Sequence, residues 1–325
     1  MKFKGFRREN GLFGVRNHIL ILPSVVCSNH VANKIAENND LAVSFPHVNG
    51  CGQLGDDREQ TLQTLIGAGK NPNVAAVLIV GLGCESLPTA TLYDAIKSTG
   101  KKVAYINIQD EGGTVKTIEK GIKITSLWTE EILKEVRIPV NISELTIGLE
   151  CGGSDATSGL FSNPVLGYVS DILVKHGGTS ILSETPEFIG AEHILAKKAY
   201  SDEIAQKIYQ IVKDTETRAK EMKVDIRVTQ PSPGNQKGGI TTIEEKSLGC
   251  IAKAGHSLIK EVMGYARISK KKGLVIMDTT GFDVESVTGM VSGGAQMILF
   301  TTGRGTPVGC PIAPVIKVTG NKETY

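Results

Sequence analysis

The strongest constraint on this chain is a recurring set of short, unbroken apolar runs. Ile19–Leu22, Leu41–Phe45, Val74–Val80, Val103–Ile108, Leu145–Leu149, Thr179–Leu182, Leu274–Met277, Met297–Phe300 and Val315–Val318 all have strand length. Most are rich in Val, Ile and Leu and show no polar alternation. A strand with one wet face alternates, whereas a strand covered on both faces does not. Amphipathic stretches separate the runs: Asn29–Glu37, Gln60–Ala68, Thr89–Ser98, Val115–Val136, Val165–His176, Ala191–Ala199 and Asp202–Met222 read as helices. This alternation predicts an α/β fold with mostly parallel sheets and flanking helices. Arg137–Asn141 follows a long helix and precedes a new strand, which divides the chain into α/β halves at 1–140 and 141–325. Strand, cysteine and helix succeed one another at Ile19–Ser28 and, with a loop before the helix, at Leu145–Ser154, the pattern of two Rossmann-like halves from a diverged duplication. The Pro/Gly-rich stretch Gln230–Gly239 reads either as a linker or as an ordered functional loop.

Composition removes several function classes. Lys and Arg number 36 against 34 Asp and Glu, a net charge of +2. Nothing in that balance supplies the clustered basic face that nucleic acid or an anionic membrane requires. No apolar run reaches the length of about 18 residues needed to span a bilayer. The basic start Met1–Arg8 leads into no signal-type apolar core, so the expected location is cytoplasmic. The six cysteines include no CxxC pair and are too few for a disulfide scaffold. GxGxxG after a strand, GxxxxGK[ST] and HExxH are all missing, which disfavours dinucleotide and P-loop nucleotide binding.

Ligands of open α/β sheets bind beyond the carboxyl ends of the strands. The unusual residues of this chain fall there repeatedly. Cys27 follows the first buried run, and His47, Asn49, Cys51 and Gln53 follow the second. Cys84 and Glu85 follow the third. Glu150, Cys151, Ser154 and Asp155 close another, then come Glu184 and Glu187, Asp278, and finally Arg304 and Cys310. One loop cysteine is ordinarily a small buried hydrophobe. Several thiols beside imidazole and carboxylates offer soft or borderline metal ligation, or thiol nucleophilicity. Arg304, flanked by Gly303 and Gly305, has the bidentate fork that suits a carboxylate or phosphate. His176 reads as a helix C-terminal histidine favoured by the macrodipole, His18 and His30 as structural, and His193 as a surface residue.

At these loops the chain resembles a known family. Gly5–His18, Pro46–Gln53, Glu150–Asp155 and Cys310–Lys317 are closely similar to the altronate/galactarate dehydratase family, which includes the large subunit of the two-subunit sulfolactate sulfo-lyases. The resemblance covers nearly the whole chain. It implies a lyase acting on a hydroxy acid with a divalent metal, typically Fe2+, with Mn2+ or an iron–sulfur cluster as alternatives. Single-chain members carry a small SAF-type domain. This chain starts directly at the large-subunit motif, so the resemblance implies a separate small SAF-domain subunit, a C-terminal tail beyond Tyr325, and a homo-oligomer. A sugar-acid-binding subunit without catalysis of its own is the reading from another class.

Dehydration of a sugar acid removes the C2 proton and expels the C3 hydroxyl, so it needs an acid, a base and oxyanion stabilisation. His47, Glu85, Asp155 and Glu187 are the expected acid/base or ligand residues. Asn49, Gln53, Ser154 and Arg304 are the expected substrate contacts, and Cys51, Cys84 and Cys151 the expected metal ligands. At least four of His47, Cys51, Cys84, Glu85, Cys151 and Asp155 are expected to share one polar pocket.

Overall fold

A computed structural model describes residues 1–325. The strands are β1 (Lys2–Arg7), β2 (Phe13–Gly14), β3 (His18–Pro23), β4 (Ala42–Ser44), β5 (Val74–Gly81), β6 (Lys102–Asn107), β7 (Ile138–Asn141), β8 (Thr146–Cys151), β9 (Thr179–Leu182), β10 (Ile259–Met263), β11 (Gly273–Met277), β12 (Met297–Thr301) and β13 (Val315–Val318). A four-stranded sheet has the order β4-β3-β5-β6 and a six-stranded sheet the order β10-β11-β9-β8-β12-β13. Both are parallel throughout. Each apolar run named above falls on one of these strands, and helices flank them, so the architecture is the expected α/β one. No helix is long and apolar enough to cross a membrane.

Four strands escape the apolar-run criterion. β1, β2 and β7 form a small antiparallel sheet, with β1 between the other two. β1 reads Lys-Phe-Lys-Gly-Phe-Arg and is only partly buried, so its composition resembles a surface segment. β10 is an edge strand whose Lys260 and Glu261 interrupt its apolar character, as is usual for edges that must not pair further. The Gln230–Gly239 stretch is an ordered loop. Residues Pro233–Lys237 form a short helix, Asn235 Nδ2 donates to Ser154 O at 3.0 Å, and Ala156 N donates to Gly238 O at 2.9 Å.

Each sheet extends to both sides of its first strand. The resulting switch points lie between β3 and β5, and between β8 and β12. Crevices open at such points because the crossovers leave in opposite directions.

The two sheets share one apolar core of 24 buried residues. It packs Leu20, Leu22 and Ile79 from the smaller sheet with Val275, Met277 and Phe300 from the larger. Two buried asparagines just before β5 reinforce this seam. Asn71 Nδ2 donates to Val291 O at 2.8 Å and Ala295 O at 2.9 Å. Asn73 Nδ2 donates to Gln296 O at 2.8 Å and Ile312 O at 3.1 Å, while its Oδ1 accepts from Val15 N at 2.9 Å. A buried backbone group left without a partner costs about 1–3 kcal/mol. Asn73→Ala is therefore expected to destabilise the protein by about 3 kcal/mol. Urea unfolding checks this, and a loss below about 1 kcal/mol would show that water replaces the amide.

Candidate active site

The loops after β3, β4 and β5 meet at the carboxyl edge of the smaller sheet. Ser24 Oγ donates to Glu85 Oε1 at 2.6 Å, and Gly83 N donates to Glu85 Oε2 at 2.7 Å. Gly50 has φ +104° and a Cβ there would lie 2.4 Å from Ser24 O, so only glycine lets the two loops approach. His47 Nδ1 accepts from Asn49 N at 3.1 Å and Nε2 lies 2.9 Å from Pro23 O. This pairing assigns the proton to Nε2 and occupies both ring nitrogens. Burial pushes the His47 pKa down and keeps the ring neutral. Gln53 is likewise engaged, accepting from Gly50 N at 3.2 Å and donating to Thr61 Oγ1 at 3.0 Å. Cys27, Cys51 and Cys84 are exposed on these loops.

Asp155 lies at the switch point of the larger sheet, and its carboxylate is consumed by the fold. Oδ1 accepts from Thr157 Oγ1 at 2.6 Å and Ser158 N at 3.0 Å, and Oδ2 accepts from Asn321 Nδ2 at 3.0 Å. Ser154 is buried and gives its carbonyl to Asn235. Arg304 is exposed and donates from Nη1 to Gly234 O at 2.8 Å, which ties the Gln230–Gly239 loop to the strand end.

A buried polar cluster lies at the carboxyl ends of β8 and β9. Cys151 Sγ donates to Glu187 Oε2 at 3.0 Å and lies 3.4 Å from Cys250 Sγ. Lys253 Nζ donates to Cys151 Sγ at 2.9 Å and to Glu184 Oε2. Lys246 Nζ pairs with Glu187 Oε1 at 3.2 Å. Ser286 Oγ donates to Glu150 Oε2 at 2.6 Å, whereas Glu150 Oε1 has no partner at all. Glu184 adopts φ +70°, an uncommon conformation for a residue with a side chain, and is held there by its own N–H donating to Thr279 Oγ1 at 2.8 Å.

The electrostatics follow from burial and from the two lysines. Burial, then the charge of Glu184, pushes the Glu150 pKa well up. Burial and Glu187 raise Glu184 to about 7 against the pull of Lys253. Burial acts on Glu187 too, but Lys246 and Lys253 outweigh it and lower it to about 2. The hydrogen bond with Cys250, together with burial, raises Cys151 well above the usual thiol range, so its proton stays on sulfur. Burial alone would neutralise Lys253, and its acidic neighbours, Cys151 and Glu184 first, hold it charged. Because Cys151 stays protonated, we assign most of that hold to the carboxylates.

Two groups of side chains bring three ligand atoms within 4.8 Å of one another: Cys151, Glu187 and Cys250, and Glu150, Glu184 and Asp283. Cys51 and Cys84 belong to neither. Sequence reasoning brought Cys151 and Glu187 forward but missed Lys253 and Lys246. The available signal for Lys253 was a lone charge between Ile251-Ala252 and Ala254-Gly255.

A cleft of about 910 Å³ separates the carboxyl edges of the two sheets. His47 and Asn49 face it from one side, Asp278 and Thr279 from the other, and Arg218 from the helix Asp202–Glu221. Of the six residues expected to share a pocket, only His47 lines this cleft. The buried cluster adjoins it: Thr279 Oγ1 lies 3.4 Å from Ser286 Oγ, which binds Glu150, and Thr185 Oγ1 donates to Asp278 Oδ1 at 2.6 Å. A smaller cavity of about 270 Å³ lies at the amino ends of β8 and β9, bordered by Thr146 and Thr179, remote from this chemistry.

Residues 5–133 match the family described as D-galactarate dehydratase/Altronate hydrolase, second domain, and residues 142–325 that described as D-galactarate/Altronate dehydratase, C-terminal. The chain belongs to the D-galactarate/altronate dehydratase family. It is 41% identical to the altronate dehydratase of Bacillus subtilis (strain 168), a match covering 99% of this chain and 66% of that relative. It is 36% identical to the (2R)-sulfolactate sulfo-lyase subunit beta of Chromohalobacter salexigens, covering 99% of this chain and 82% of the relative. Identity to the galactarate dehydratase (L-threo-forming) of Escherichia coli (strain K12) is 34%, covering 99% and 65%. The chain thus spans about two thirds of the length of the dehydratases it matches.

Two expectations follow from the cluster. Lys253→Met removes the one cation that touches both Cys151 and Glu184 and should destabilise the protein by about 3–5 kcal/mol, the usual scale for breaking a buried ion pair. Chemical denaturation checks this, and a near-neutral effect would mean that the carboxyl groups discharge on their own. The second concerns pH. Glu184 is raised from an ordinary 4.5 to about 7, so the folded state holds its proton more tightly. Stability from this group is complete below about 4.5 and is lost as pH rises through 7. Glu187 acts oppositely, its contribution being lost as pH falls from 4.5 toward 2. Urea midpoints should therefore decline between pH 4.5 and 7, and Glu184→Gln should flatten that decline. An unchanged slope in the variant would remove Glu184 as its source.

Proposed function

We propose that this chain is the catalytic part of a lyase that dehydrates a sugar acid of the altronate or galactarate type to the 2-keto-3-deoxy acid. Family membership supports the reaction class. The observation that carries the reading to this chain is the buried Glu150–Glu184–Lys253 cluster behind the cleft floor at Thr279. A carboxyl group with a pKa near the working pH is what acid–base catalysis requires, and Glu184 has that property. Lys253 fixes the Glu184 carboxylate, and Ser286 fixes that of Glu150. The Thr279 and Ser286 hydroxyls form a polar path from the cleft to the Glu150 carboxyl group.

A divalent metal fits the donor set. Four acids, Glu150, Glu184, Glu187 and Asp283, meet three ammonium groups, Lys246 and Lys253 within the cluster and Lys317 on the Asp283 side. Protons or a dication must balance the remaining charge, and Glu150 Oε1 is a buried acceptor without a donor. Glu150 and Asp283 would hold the ion through hard oxygen atoms that suit Fe2+ or Mn2+, leaving Glu184 beside it as the acid/base group. Such an ion would supply Lewis-acid stabilisation of the enolate oxygen formed when the C2 proton leaves. An iron–sulfur cluster fits less well, because the cluster offers two thiols, Cys151 and Cys250, where four are usual.

The 82% coverage of the sulfo-lyase subunit beta favours a second reading, in which sulfite replaces the C3 hydroxyl as leaving group. That relative's description as a subunit also supports the proposal that a small SAF-type partner completes the enzyme. Anaerobic assays with Fe2+, with and without such a partner, against altronate, galactarate and sulfolactate separate these readings by the keto acid or sulfite released. Turnover of one acid is expected, and Glu184→Gln should lower it by about 100-fold, the scale of losing an acid/base group. Failure of all three acids in the presence of the partner would overturn the lyase reading, and binding without turnover would mark a sugar-acid-binding subunit.

A further inference from the structure

The sugar-acid reading requires a cation that can hold a carboxylate in the cleft, and the cleft has few. Its charged walls are Arg218, Asp278 and Glu285, while His47 is neutral with both nitrogens occupied. Glu285 already accepts from Thr280 Oγ1 at 2.7 Å, and Asp278 from Thr185 Oγ1. Arg218 is different. Its Nη2 donates only to Thr215 Oγ1, at 3.3 Å and on its own helix, and its guanidinium forms no ion pair. Arg304, the arginine brought forward by the sequence, lies outside the cleft and spends a donor on Gly234 O.

The helix that carries Arg218 is anchored. Ile208, Val212 and Ala219 are buried, and Ile208 and Val212 join the apolar cluster beneath β10 and β11. Arg218, exposed beside buried Ala219, is therefore presented at the cleft from a fixed base while its donors remain free. Across the cleft, Asp278 repels a carboxylate but accepts hydroxyl groups, and Thr61, Thr64, Thr279 and Thr288 add further hydroxyl partners. One end suits an anion and the remainder suits a row of hydroxyls.

We propose that Arg218 is the carboxylate-binding residue of the cleft and takes a linear polyhydroxy acid by a bidentate guanidinium–carboxylate pair. Its unoccupied donors and its place as the only permanent cation lining the cleft carry the assignment. The proposal rests on the sugar-acid reading and adds to it the residue that distinguishes an acid from the corresponding alcohol.

Calorimetric titration tests it with galactarate, altronate and galactitol, the last having the carbon chain and hydroxyls of galactarate but no carboxylate. Wild-type protein should bind the acids and not galactitol. Arg218→Gln should weaken acid binding by 10- to 100-fold, about the value of a charge-assisted pair. Arg218→Lys should recover part of it, since a point charge lacks the fork. Arg137→Gln, a guanidinium that lies 4.8 Å over the Phe6 ring, serves as the control for general charge loss. In an active preparation the Arg218→Gln defect should appear in KM rather than kcat. Equal affinity of wild type and Arg218→Gln for the acids would overturn the assignment, as would a wild type that binds galactitol as well as galactarate, or binds neither acid. Arg218-dependent binding without any turnover would leave the assignment standing and overturn the lyase reading alone.

Discussion

Everything at the carboxyl edge of the larger sheet depends on one buried ammonium group. Lys253 donates to the Cys151 thiol and to the Glu184 carboxylate, and lies 4.0 Å from Glu187. Without it these acidic groups could not be brought together in the absence of water, since an unpaired buried charge costs several kcal/mol. The contact also joins separate pieces of chain. Cys151 ends β8, Glu184 and Glu187 follow β9, and Lys246, Cys250 and Lys253 belong to the helical segment from Ile243 to Ala254. One polar joint thus fixes the strand ends against a helix that the sheet hydrogen bonds never reach.

The sequence was legible wherever a segment is buried on both faces. β3, β5 and β11 are almost wholly apolar, and no competing structure suits such short runs. Legibility failed at β1, β7 and β10, where exposure allows Lys, Pro or Glu into the strand. The Gln230–Gly239 loop was ambiguous because proline and glycine serve linkers and ligand loops alike. Its order comes from Asn235, Gly238 and Arg304, whose partners are distant in sequence.

The site was legible only in its location. Residues at strand ends do lie at sheet edges, but two sheets present two edges, and local pattern cannot say which residues face the same space. Glu85 and His47 are bound up with Ser24, Gly83, Asn49 and Pro23 within the smaller edge. Asp155 is engaged with Ser158 and Asn321. Lys253 and Arg218 sit in helical segments, where a charged residue is ordinarily a solvated one. Only packing shows that the first is buried among acids and the second faces a cleft with no salt bridge of its own.

The asparagine seam limits how the cleft can work. Asn71 and Asn73 place four amide hydrogen bonds on carbonyl groups of the larger sheet's segments, all buried. Hinged opening of one sheet away from the other would break all four and expose part of the shared core of 24 residues. Such a motion is too costly to accompany every binding event. The gap between the sheets therefore has a nearly constant width. Entry and exit are left to side-chain rotation at its mouth, so the protein should select its ligand by the fit of a rigid slot rather than by clamping shut around it.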